Sequence, residues 1–207
     1  MTDGEHNHCL SYPDEYNINN EIKFPPKNQC RVLIVGCGNS SLGHDMLRDE
    51  WCGGITNVDY SSVVISQMME KYFSDTKLPD KMENNKSEIK QCKSNVMLKG
   101  NKDSFGMKFV CADITQGLEC PDSSFDLIID KGLLDSLLCS SVADCRLAMD
   151  ECSRLLNEEH GAMVIFSRKK PDDRLQFIES PGWTGGIWHY HIPPTKREDE
   201  SWNTFKE

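Results

Sequence analysis

Long hydrophobic runs are missing from this chain. No apolar stretch approaches the ~20 residues of a membrane-spanning helix, so no membrane association is expected. Basic residues are also in deficit, 23 Lys and Arg against 33 Asp and Glu, giving a formal net charge of −10. Duplex nucleic-acid binding needs clustered cations to meet phosphates, and this balance argues against it. It is compatible with a cationic ligand or a basic protein partner, through steering more than affinity. No Cys-x-x-Cys pair occurs among the ten cysteines. Cys37, Cys111, Cys139 and Cys152 instead lie in or beside apolar periodic segments, which predicts buried free thiols in a reducing compartment. The acidic, polar opening Met1-Thr2-Asp3-Gly4-Glu5 argues against a secretory or transit peptide. Together these features predict an intracellular, cytoplasmic protein. There is no internal repeat.

What is present is enough for one domain with a substantial core: 207 residues, 38% hydrophobic and 27% charged. Residues 1–29 are polar and turn-rich, with Tyr12-Pro13 and Phe24-Pro25-Pro26 as anchors. Arg31 to Val35 reads as a buried strand, and Asn39-Ser40-Ser41 offers oxygens to start a helix that Gly53-Gly54 ends. Ile55 to Val58 is a second strand. Ser61 and Ser62 cap a helix whose apolar face is Val63, Val64, Ile65, Met68, Met69 and Tyr72. From about 74 to 106 the periodicity dissolves into Lys, Asn, Asp and Ser, which predicts a disordered insertion. Met107 to Cys111, Phe125 to Ile129 and Gly161 to Ser167 read as three more strands. Leu133 to Leu138 and Val142 to Leu156 read as helical, the second turning Leu147, Met149, Cys152, Leu155 and Leu156 inward. Such alternation predicts an α/β fold with a mostly parallel sheet covered on both faces, over a domain of 30–207. Near the end, Ile187 to Ile192 alternates well enough for one edge strand before Pro193-Pro194.

Ligands of such sheets bind beyond the carboxyl ends of the strands. Those ends present Gly36 to Asn39, Asp59-Tyr60, Asp113-Ile114, Asp130-Lys131-Gly132 and Ser167-Arg168. Val32 to Val35 breaks into Gly36 and Gly38, and Asp59 follows about 20 residues later, the spacing at which a carboxylate meets ribose hydroxyls. A dinucleotide or triphosphate fits poorly. Three strand ends carry a carboxylate, Ser41 stands where the third glycine of GxGxxG would be, and no GxxxxGK[ST] occurs. The pattern suits a nucleoside without phosphates that carries positive charge, and S-adenosylmethionine has that chemistry.

Val32 to Ser40, Val58 to Val64 and Ser124 to Asp135 resemble the class I S-adenosylmethionine-dependent methyltransferases. More narrowly, GCGNS, VDYSSVV and DKGxLD resemble the branch with lysine methyltransferases acting on elongation factor 1-alpha. The resemblance is strong over about 31–72 and 123–138, fair to about 167 and weak elsewhere. It implies a doubly wound, Rossmann-like sheet of the seven-strand methyltransferase type. The C-terminal antiparallel part is shortened, with room for about one and a half of its two strands. It places Gly36, Cys37, Gly38 and Asn39 at the cofactor, the two glycines under its methionine part. It also implies that Asp59 accepts from both ribose hydroxyls, Tyr60 flanks the adenine, Asp113 accepts from the adenine amine and Ile114 packs on the ring. Asp130 and Lys131 would lie near the methyl group, and Asp130 and Asp135 are candidates to receive or orient a proton. Each has a plainer alternative: a turn residue at Asp59, a cap at Asp113, and ordinary pairing of Lys131 with Asp130 or Asp135. Asp126 is read as the start of the fourth strand, outside the site.

The sequence Asp130-Lys131-Gly132-Leu133 replaces the Asn/Asp-Pro-Pro-Tyr/Phe loop used for amide or adenine acceptors. This argues against those acceptors, and the resemblance implies a protein lysine, on elongation factor 1-alpha for example, as the preferred acceptor. A small-molecule methyltransferase is the alternative, and a non-catalytic cofactor-binding module acting through a protein partner is a third reading. His189 and His191, like His6, His8 and Cys9, lack a further ligand, so no metal site is expected. Trp183 and Trp188 are read as packing on the sheet edge in preference to lining an acceptor channel. Oligomeric state is not encoded in any pattern found.

Overall fold

Val32–Val35, the first strand β1, is buried at every position, because it is the middle of a sheet covered on both sides. A computed structural model of the chain describes residues 24–73, 106–178 and Ile192. Every element below lies in one unit, Asn17–Thr184. The strands β2 (Ile55–Asp59), β3 (Met107–Cys111), β4 (Leu127–Lys131) and β5 (Ala162–Phe166) join β1 in the order β3-β2-β1-β4-β5. All the pairings are parallel, and Val35 stands level with both Val58 and Asp130. The chain reverses its direction of travel across the sheet between β1 and β4, which opens a crevice at their carboxyl ends.

Helices α1 (Leu42–Arg48) and α2 (Ser62–Phe73) cover one face, where Val32, Ile34, Ile55, Phe109, Leu127 and Ile129 meet Leu42, Met46, Ile65 and Met68. Helices α3 (Leu133–Ser140), α4 (Val142–Leu155) and α5 (Leu175–Ile178) cover the other, against Leu33, Val35, Val58 and Ile128. The expected doubly wound parallel sheet is thus present with five strands. The edge strand expected at Ile187 to Ile192 falls outside the described residues except for Ile192, as does all of the predicted insertion but Gly106.

Several local expectations are corrected. α1 stops at Arg48, ahead of Gly53-Gly54, because Glu50 takes a left-handed φ of 68°. The N–H groups of Glu50 and Trp51 then return to the carbonyls of Leu47 and Met46, the two-bond closure usually built on glycine. Leu147 and Val63 are exposed (49% and 64%); Met149, Cys152, Leu155 and Leu156 are buried as expected, and Cys145 and Ala148 take the remaining inward positions of α4. Cys37, Cys111 and Cys152 are buried free thiols as expected, whereas Cys139 is exposed. β4 starts at Leu127 and extends to Lys131, so Asp130 is a strand residue.

Asp126, just before β4, ties the base of the sheet together. Its buried carboxylate accepts from the Arg31 N–H at 2.8 Å and from Arg31 Nε and Nη2 at 3.0 and 2.7 Å, and pairs with His160 Nε2 at 3.0 Å. Burial raises its pKa, but these partners outweigh burial and hold it near about 2. Asp126→Ala is expected to destabilise the chain by about 2–3 kcal/mol in urea unfolding at pH 7, since the Arg31 N–H loses its acceptor. Relative to wild type, that deficit should shrink as the pH falls from about 4 toward about 2, where the native carboxylate protonates.

Candidate functional site

The floor of the crevice is the turn after β1. Gly36 and Gly38 have φ of 59° and 53°, conformations that L-residues with side chains rarely adopt. Gly36 is further confined: a Cβ there would stand 2.8 Å from Leu133 Cβ at the start of α3. At Gly38 a Cβ would meet nothing within 4 Å among the described residues, so this glycine faces open space. Cys37 between them points the other way. Its side chain is buried in the core under α1 and α2, and burial, with Asp59 adding to it, pushes the thiol up to about 12. Only its backbone reaches the crevice side, its N–H continuing the ladder to the Val58 carbonyl at 2.9 Å. Asn39 is exposed on the same turn.

Asp59 ends β2 beside this turn and is nearly buried. One carboxylate oxygen accepts the Gly38 N–H and the other the Ser61 N–H, both at 2.9 Å. Each oxygen keeps a second lone pair for a ligand hydroxyl. Tyr60 follows on the surface, 77% exposed, and Ser61 Oγ accepts the Val64 N–H to cap α2 as expected. At the end of β3, Asp113 caps a single 3-10 turn, Ile114–Gln116, through one oxygen that accepts from Thr115 N–H and Oγ1. Its Oδ2 has no partner among the described residues, while Ile114 is buried beneath it. The capping reading of Asp113 is therefore realised, with half of the carboxylate to spare.

At the end of β4 the carboxylates are differently occupied. Asp130 is fully buried, and its oxygens accept the N–H groups of Leu133 at 2.6 Å and Leu134 at 2.9 Å, closing the start of α3. Burial raises its pKa to about 6 against the pull of those donors. Asp135 accepts from Ser167 Oγ at 2.7 Å, the Arg168 N–H at 3.0 Å and Arg174 Nη2 at 2.9 Å. Burial raises its pKa, but these donors win and hold the carboxyl below its usual range. Lys131 pairs with neither. It is exposed, and its Nζ lies 3.4 Å from Ser40 Oγ across the crevice. Ser167 belongs to a strand end expected from sequence to face the site, whereas Ser40 and Arg174 are not among those strand-end residues. Their partners lie 91 and 39 positions away, and no local pattern announces contacts of that range.

The site thus combines a left-handed glycine turn with acceptor groups at the ends of β2 and β3. A family model described as methyltransferase domain matches residues 33–165, more than half of the chain. The chain belongs to this family. Among curated proteins it is 36% identical over 108 residues to the eEF1A lysine and N-terminal methyltransferase of Bos taurus, covering 52% of this chain and 11% of that one. It is 28% identical over 158 residues to the mitochondrial citrate synthase-lysine N-methyltransferase CSKMT of Pongo abelii, covering 74% of this chain and 58% of that one. The chain therefore spans about a tenth of the first relative's length and over half of the second's. A solved TehB-like S-adenosylmethionine-dependent methyltransferase from Corynebacterium glutamicum aligns with a TM-score of 0.49 at 16% identity, over 79% of this chain and 72% of that one.

The cofactor of this methyltransferase family is S-adenosylmethionine. The donor set fits it. Spare lone pairs on Asp59 and Asp113 suit hydroxyls and an amine, and would repel phosphate, while the open side of Gly38 leaves room for close approach. Among the described residues no helix is long and apolar enough to cross a membrane, and no His, Cys, Asp and Glu side chains gather into a metal-binding group. The His189, His191, His6, His8 and Cys9 positions lie outside the described residues, as do Trp183 and Trp188.

Proposed function

We propose that this chain is an S-adenosylmethionine-dependent protein-lysine N-methyltransferase. The observation that carries the methyl-transfer reading is Asp59, fixed by Gly38 and Ser61 with one lone pair free on each oxygen, at the edge of a crevice in a methyltransferase-family sheet. The lysine reading is supported by the relatives, both named as lysine methyltransferases, and Asp130-Lys131-Gly132-Leu133 at the end of β4 argues against amide and adenine acceptors. When bound, the cofactor supplies a sulfonium-activated methyl group. In this reading Asp59 holds the ribose, Asp113 Oδ2 accepts from the adenine amine over Ile114, and Tyr60 flanks the ring. Gly36, Gly38 and Asn39 shape the turn under the methionine part.

Asp130 and Asp135 then work as positioning residues. Both carboxylates are committed to α3 and to the loop after β5, so they fix the wall of the crevice and are poorly placed to take a proton. A lysine acceptor must be neutral, which from a pKa near 10.4 costs roughly 4–5 kcal/mol at pH 7. The chain lowers that cost chiefly by aligning the amine and excluding water from it. Elongation factor 1-alpha and citrate synthase are the acceptors to test, the first implying a cytoplasmic location and the second a mitochondrial one.

The test is to incubate the full chain with methyl-labelled cofactor and, in separate reactions, each purified protein and a cell lysate, then locate label by mass spectrometry. Label on a lysine of either supports the proposal. Label transferred only to small molecules from a lysate would replace it with the small-molecule reading, and binding without any transfer would favour the non-catalytic module.

A further inference from the structure

Among the described residues, Lys131 is the cation that reaches across the crevice. It ends β4, and its ammonium approaches Ser40 Oγ in the turn after β1, so the side chain bridges the two strands where the sheet order reverses. Neither nearby carboxylate in its own loop competes for it. Asp130 is spent on the N–H groups of Leu133 and Leu134, and Asp135 on Ser167, Arg168 and Arg174. The contact with Ser40, at 3.4 Å, is the one hydrogen bond of the ammonium among the described residues. An ammonium carries three donors, and one long bond to a neutral hydroxyl uses little of its capacity.

The rest of the crevice has the opposite character. Asp59 and Asp113 offer acceptors on the β2 and β3 side. These suit the hydroxyl and amine groups of a nucleoside, but not the carboxylate at the amino-acid end of S-adenosylmethionine, which needs donors. We infer that Lys131, joined by the Ser40 hydroxyl, is the subsite for that carboxylate. This rests on the cofactor reading above and goes beyond it, because it gives Lys131 a binding task in place of a chemical one. The flexible four-carbon stem allows the ammonium to leave Ser40 for a carboxylate entering between them. Holding that end sets the direction of the methionine arm and so the line along which the methyl group is presented.

Calorimetry on the full chain with two ligands tests this. S-adenosylhomocysteine carries the carboxylate, whereas 5′-methylthioadenosine has the same nucleoside and thioether but no amino-acid end. Lys131→Ala should weaken S-adenosylhomocysteine about tenfold, the scale of one charge-assisted hydrogen bond, and leave methylthioadenosine unchanged. Lys131→Arg should restore most of the loss, and an unchanged melting temperature in both variants shows that the fold is intact. Equal weakening of both ligands, or no change for S-adenosylhomocysteine, overturns the subsite. A wild-type chain that binds neither ligand overturns the cofactor reading itself, and this inference with it.

Discussion

Asp59→Ala lowers the affinity for S-adenosylhomocysteine by about a hundredfold or more, because two ribose hydroxyls lose charged acceptors worth roughly 1.5–3 kcal/mol each. The wild-type carboxylate is well prepared for them. It is nearly buried, and the N–H groups of Gly38 and Ser61 fix its two oxygens, so little ordering remains to be done on binding. The substitution also frees Gly38, loosening the turn that the ligand must approach, and this adds to the loss. Calorimetry measures the affinity, with a thermal melt to confirm folding. Two outcomes are separable with a ligand lacking the 2′ and 3′ hydroxyls. If Asp59 meets the ribose, the variant loses far less affinity for that analogue than for S-adenosylhomocysteine. If affinity for S-adenosylhomocysteine itself survives the substitution, the ribose lies elsewhere.

Asp130→Ala is expected to destabilise the chain by about 2–4 kcal/mol, since it leaves the N–H groups of Leu133 and Leu134 without acceptors and opens a cavity beneath α3. Asp130→Asn separates shape from charge. The native pKa is raised to about 6, above the unfolded value near 3.9, so between those limits the folded chain binds the extra proton. The stability contributed by protonated Asp130 is therefore complete below about 4 and lost as the pH rises through about 6, by up to roughly 3 kcal/mol. Urea unfolding from pH 4 to 7 should show this decline in wild type, and a flatter profile in Asp130→Asn. The Asp126 contribution changes in a lower window, from about 4 down to about 2, so the two do not overlap. Asp130→Asn should also bind S-adenosylhomocysteine within a few-fold of wild type, because the carboxylate points into α3. A hundredfold loss would return Asp130 to direct contact with the ligand.

The alternation of apolar runs with glycine and carboxylate made the parallel sheet and the place of Asp59 readable without coordinates. Both depend on features local in sequence: continuous apolar strands, a glycine turn, and one crossover of ordinary length. α1 shows where local reading ends early, since Glu50 closes the helix in a conformation that its residue type disfavours and only the packed chain enforces. α4 shows the same limit on a helix face. Ala148 is buried and Leu147 exposed, because distance from the sheet, and not side-chain size, selects the inward position.

The strand ends divide most sharply. Sequence placed Asp59, Asp113, Asp130 and Lys131 at one edge, and they are there. Which of them keep free donors or acceptors depends on hydrogen bonds made in the folded chain, to neighbours three and four residues on at Asp130 and to a residue 91 positions away at Lys131. α3 takes up Asp130, Arg174 takes up Asp135, and Lys131 is left to reach Ser40, 91 residues away. Local chemistry fixes which groups a loop carries. For Asp135 and Lys131 only the tertiary arrangement decides whether the group is spent inside the protein or stays available, because that depends on distances between segments that no short pattern encodes.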